Sequence, residues 1–163
     1  MTRKEFLAEC DGELKPIRHL IHKGADTDLN WRPRDDMMST GQVMYHLSEG
    51  IAEGLRCLQT GQWPFSEDTM LPTLDQIKTV ASAEEALSAL EKDRAETEKF
   101  LGQLTDQEFA TKHVDTPWGM SGPFWRVAFS FVEHWKMHKM QLFLYLRIQG
   151  LPLNTADLYV GEM

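Results

Sequence analysis

Apolar residues recur at spacings of three and four in four stretches of the chain, separated by segments rich in polar residues, Gly and Pro. Phe6, Cys10, Leu14, Ile17 and Ile21 form the first stripe. Thr2-x-x-Glu5 ahead of it reads as a capping box, in which the Thr hydroxyl takes a free backbone N–H and the Glu reaches back to another. His22 and Lys23 suit a last turn, Gly24 is placed to end the helix in a left-handed conformation, and Pro16 predicts a kink or break. Ser39-x-x-Gln42 is a second capping box, ahead of Val43, His46, Leu47, Gly50, Gly54, Cys57 and Leu58. Each of those glycines weakens a helix by about 1 kcal/mol, so a close helix approach, or room for another group, is expected there. Ser82-x-x-Glu85 opens a third helix with Leu87, Leu90, Thr97, Leu101 and Leu104. Ser121 is placed to cap the fourth, with Pro123 in its first turn and Phe124, Val127, Phe131, His134, His138, Leu142 and Tyr145 along its inner face. Gly150 and Pro152 stop it.

Segments 24–38, 61–81 and 105–120 read as loops, the last with a short turn at Thr105-x-x-Glu108, and no segment alternates with period two over the length of a strand. The pattern predicts an all-α fold, a four-helix bundle spanning residues 1–163 as a single domain. The long connection between helices 2 and 3 can carry the chain back along the bundle. Those two helices then run parallel, giving an up-down-down-up order.

Composition narrows the partners. The 163 residues carry 25 acidic and 17 basic side chains, a net charge of −8. Such a surface repels phosphate backbones and anionic bilayers, so neither nucleic acid nor membrane is an expected partner. Two cysteines, Cys10 and Cys57, make no disulfide framework, and the charged N-terminal stretch has no apolar core of a signal peptide. A cytoplasmic protein is expected. Five Trp and nine Met point to a core and an interface, compatible with a homodimer.

Six histidines supply the candidate chemistry. His134 and His138 stand at i and i+4, one turn apart on one helix face, the geometry with which a helix offers two ligands to one metal ion. His46 sits on the stripe of helix 2. It lies roughly 10 Å from the start of that helix, and His138 lies roughly 18 Å from the end of helix 4, at 1.5 Å per residue. In the expected topology these ends coincide, so the three imidazoles can meet. Three neutral nitrogens suit Zn²⁺, Ni²⁺, Fe²⁺ or Co²⁺, and three protein ligands leave a position for water or substrate, as in catalytic sites.

The run His134-Trp-Lys-Met-His138-Lys-Met-Gln141-Leu-Phe-Leu-Tyr145-Leu-Arg147, followed by Gly150 and Pro152, resembles the last helix of the DinB/YfiT-like superfamily. Ser39-Thr-Gly-Gln-Val-Met-Tyr-His46-Leu resembles its second helix, and Thr116-Pro-Trp-Gly119 a motif preceding its fourth. The resemblance implies an up-down-down-up bundle holding one divalent ion, Zn or Ni foremost and Fe, Co or Mn as alternatives, on His46, His134 and His138. This sequence departs from the family at Trp135, Lys139 and Met140, where Glu, Arg and Gly are usual. The resemblance further implies a metal-dependent enzyme of the low-molecular-weight-thiol S-transferase type acting on a small-molecule substrate. A metal-dependent hydrolase, or a non-catalytic metal-binding stress-response protein, uses the same ligands. Gln141 and Tyr145, above His138 on its stripe, and Glu49, one turn from His46, are the expected supporting residues. Trp31 and Arg32, with Arg34 and Tyr159, are candidates for substrate contacts from the loop 24–38 and the tail 151–163. A di-iron carboxylate site is excluded because no Glu-x-x-His motif occurs.

Overall fold

A computed structural model describes residues 1–65 and 72–160. Part of the expected 61–81 connection, residues 66–71, and the last three residues of the tail lie outside the described residues. The architecture is mostly helical: α1 (Arg3–Lys23), α2 (Thr40–Ser48), α3 (Ile51–Thr60), α4 (Ala83–Leu101), α5 (Asp106–Thr111) and α6 (Phe124–Ile148), with a two-stranded hairpin, β1 (His113–Asp115) and β2 (Ser121–Pro123), ahead of α6. A 3-10 helix, Thr155–Leu158, closes the described chain. α1, α2 and α3 each pack against both α4 and α6. No helix among the described residues is long and apolar enough to cross a membrane.

Local chemistry explains most of the boundaries. The capping boxes at Thr2 and Ser39 form, and so does one at Thr105, which opens α5. Ser82 accepts from the Glu85 N–H, while the Glu85 carboxylate takes the N–H of Ala81 in place of the Ser82 N–H. Pro16 lies inside α1, which runs on without a break. Phe6, Phe109 and Phe124 pack ring to ring, with centroids 5.4 and 5.6 Å apart, and fasten α5 to the starts of α1 and α6.

Four expectations are corrected. Gly24 is not left-handed (φ −84°); it is small because a Cβ there would lie 2.7 Å from Met44 Cε and 2.8 Å from Leu146 Cδ2. The expected second helix is two helices, α2 and α3, separated at Glu49 and Gly50. The 105–120 stretch holds α5 and the first strand of the hairpin, whose three-residue strands are too short to show alternation. Ser121 belongs to β2, donates its hydroxyl proton to Asp115 and does not cap α6, which starts at Phe124 after Pro123.

Candidate metal centre

α6 turns its most buried face, with Val132, Trp135, Lys139, Leu142 and Leu146, into the core. His134 and His138 stand beside that face rather than on it. His134 is exposed and His138 half-buried. His46, in the last turn of α2, is half-buried in the same way. The sequence stripe therefore placed these histidines one step too deep, because a periodicity of three and four does not fix the angular centre of the buried face.

The three rings converge. The centroids of His46 and His138 are 4.5 Å apart, those of His134 and His138 4.4 Å, and those of His46 and His134 5.0 Å. Nε2 of His46 lies 2.7 Å from Nε2 of His134. One ligand nitrogen from each ring falls within 4.8 Å of the others, a group that could hold a metal ion. Gln141 Nε2 donates to the Tyr145 hydroxyl at 2.9 Å, which leaves the Gln141 carbonyl to accept from His138 Nδ1 at 2.7 Å. His138 therefore carries its proton on Nδ1 and keeps Nε2 free as a ligand atom. Tyr145, itself buried, meets the Trp31 ring edge-on at 5.3 Å. A line of contacts thus runs from His138 through Gln141 and Tyr145 to Trp31.

Burial, reinforced by the neighbouring rings, pushes His46 down to about 4. Burial also lowers His134, helped by His138, and lowers His138 against the opposing hydrogen bond of Gln141. All three rings are therefore neutral at pH 7, the form that ligates. The cysteines are unsuited: burial raises Cys57 and pushes Cys10 up to about 12.

The remaining candidates are scattered. Glu49 is exposed and accepts from the Tyr45 hydroxyl at 2.5 Å, and no hydrogen bond joins it to His46. Arg32 is half-buried and makes no hydrogen bond or ion pair among the described residues. Arg34 pairs with Asp36 at 2.8 Å. Tyr159 stands over Lys139, whose ammonium pairs with Glu13 of α1, so the tail borders the α1 side of α6. The close approach expected at the glycines is found at Gly54, and a capping contact from α4 escaped the sequence. Phe131 packs so closely on Gly54 that a Cβ there would lie 2.7 Å from its ring. Asp93 of α4 accepts from the backbone N–H groups of Gly50 and Ala52. The signal for the Asp93 contact was a carboxylate on an apolar stripe, between Leu90 and Thr97.

A family model for the DinB superfamily matches residues 14–142. The chain belongs to the DinB superfamily. Two solved structures share the fold of this DinB-superfamily chain. One is a DinB-like protein from Bacillus cereus ATCC 10987, with a TM-score of 0.69 and 20% identity, covering 94% of this chain and 96% of its own. The other is a DinB-like protein, YjoA, from Bacillus subtilis, with a TM-score of 0.65 and 17% identity, covering 91% and 96%. A comparison with curated proteins returned no match. Within this DinB-like helix the departures from the family's run lie off the histidine face: Trp135 and Lys139 are buried toward the core, and Met140 is exposed.

Proposed function

We propose that this protein binds one divalent metal ion on His46, His134 and His138 and uses it in transfer chemistry on a low-molecular-weight thiol. The observation that carries the reading is the convergence of three neutral imidazoles with one exposed side. The donor set fits the ion: three nitrogen ligands, one with its tautomer fixed by Gln141, and no competing thiolate. When bound, such an ion supplies a Lewis acid that lowers the pKa of a thiol or water beside it. Gln141 orients His138, Tyr145 holds Gln141, and the exposed flank of His134 admits the substrate. Trp31, which meets Tyr145 edge-on, is the loop residue proposed to contact it, with Arg32 beside it in sequence. The reading includes a four-helix bundle run up-down-down-up, with α2 and α3 as one interrupted rod; the packing of both against α4 and α6 supports it.

The test is a thiol-transfer assay on a panel of electrophiles. Metal-loaded protein accelerates consumption of at least one electrophile, and a rate equal to the uncatalysed one throughout sinks the transferase reading. Gln141→Ala is expected to weaken metal affinity about tenfold or more, since partners that orient a ligating His commonly act on that scale; competition against a chelating dye measures it. The pH dependence has a definite sign. In the unfolded chain His46 binds a proton near 6.5, but in the fold only near 4. The metal-free protein therefore loses stability as pH falls from 6.5 toward 4 and gains nothing from this group above 6.5. Urea titrations at pH 7.5, 6 and 5 check it.

A further inference from the structure

The break between α2 and α3 falls within one turn of His46. Ser48 ends α2, Glu49 is extended (φ −139°, ψ 162°), Gly50 has φ +118°, and α3 begins at Ile51 with no side-chain cap of its own. The missing cap comes from α4. Asp93, 9% exposed, accepts at Oδ1 from the N–H of Gly50 at 3.2 Å and of Ala52 at 3.3 Å. In an unbroken helix those two N–H groups would bond the carbonyls of His46 and Ser48, and Asp93 would stay buried without them. A buried carboxylate stripped of its donors is strongly unfavourable, so Asp93 stabilises only the broken path.

The two sides of the break are anchored separately. Gly54 of α3 is fixed against Phe131 of α6, and Thr40 of α2 accepts from Gln149 Nε2 at 2.9 Å. His46 lies between these two anchors, on the α2 side of the break. Ending α2 here also leaves the last carbonyls of that helix beside His46, a partial negative charge favourable to a cation.

We propose that Asp93 is a positioning residue for the three-histidine site: by capping α3 from α4 it holds the break that presents the His46 imidazole to α6. The inference rests on the metal reading above, and the experiment separates the two. Cobalt(II) is titrated into the full chain, and its visible spectrum and dissociation constant are recorded beside thermal melting. Asp93→Ala and Gly50→Ala are expected to raise the cobalt dissociation constant about tenfold or more and to alter the spectrum. At Gly50 a Cβ would meet nothing within 4 Å, so that variant acts through backbone conformation alone. Asp93→Asn keeps a carbonyl oxygen for both N–H groups and is expected to retain the wild-type spectrum. Leu90→Ala, a fully buried residue on the same helix, should lower the melting temperature without moving the cobalt constant. Wild-type cobalt binding unchanged in Asp93→Ala overturns the inference and leaves the metal reading standing; if that variant does not fold, Gly50→Ala decides on the same terms. No cobalt uptake by the wild type overturns both.

Discussion

Replacing either His46 or His138 by alanine should abolish stoichiometric binding of a divalent ion while the helical fold survives. Each ring contributes one of the three nitrogens of the cluster, and among the described residues no other His, Cys, Asp or Glu joins that group. The wild type gains stability from the ion by mass action, about 2.7 kcal/mol when free metal stands at a hundred times its dissociation constant. Both variants lose that gain. Without metal the sign differs: the rings are desolvated and depress one another's protonation, so truncating one removes a strain on the cluster rather than a core contact. Metal-free His46→Ala is therefore expected to melt at or slightly above the metal-free wild type near pH 5, whereas His138→Ala also gives up the hydrogen bond to Gln141. Metal content by mass spectrometry after dialysis, with melting curves in zinc and in chelator, gives both numbers. An ion retained one per chain in His138→Ala would remove the shared site, and so would a folded wild type that takes up no metal after reconstitution.

Much of this site could be read from the chain, for identifiable reasons. The i,i+4 pair and the capping box before His46 are local features, and local features survive folding unchanged. The chemistry of His138 was also legible, because Gln141 and Tyr145 follow at helical spacing on its own face. What failed was non-local. An unbroken helix through Gly50 follows from the apolar periodicity, against the glycine's low helix propensity, and the break is capped by a carboxylate 43 residues away. Gly24 does end α1, but not in the left-handed conformation expected of it: its missing side chain answers the close approach of Met44 and Leu146 from neighbouring helices. The hairpin before α6 is specified by pairing between Val114 and Gly122, which no single stretch displays. Trp135 and Lys139 read as departures within a metal motif, whereas both are buried off the histidine face, Lys139 paired with Glu13 of α1.

Lys139 carries the second large expectation. Its side chain is 9% exposed and its ammonium lies 2.7 Å from Oε2 of Glu13, itself 17% exposed. The other Glu13 oxygen is 3.9 Å from Lys136, and the Tyr159 ring stands 5.7 Å from the Lys139 ammonium. Glu13→Ala leaves Lys139 buried with only a ring face and no carboxylate, and should destabilise the protein by about 3 kcal/mol, since breaking one side of a buried pair commonly costs 3–5 kcal/mol. The Tyr159 face and the partial exposure of Glu13 place the effect at the lower end. Removing both charges has the opposite logic. Glu13→Leu with Lys139→Met deletes the desolvation penalty together with the attraction, and is expected to lie within about 1 kcal/mol of wild type. Urea unfolding of Glu13→Leu, Lys139→Met and the double variant yields the coupling energy directly. Because Lys139 faces α1 while His138 turns to Gln141, metal affinity should be equal in all of these proteins. A fall in affinity in Glu13→Ala alone would mean that this pair acts on His138 through the helix, and that the Lys at this position belongs to the metal centre after all.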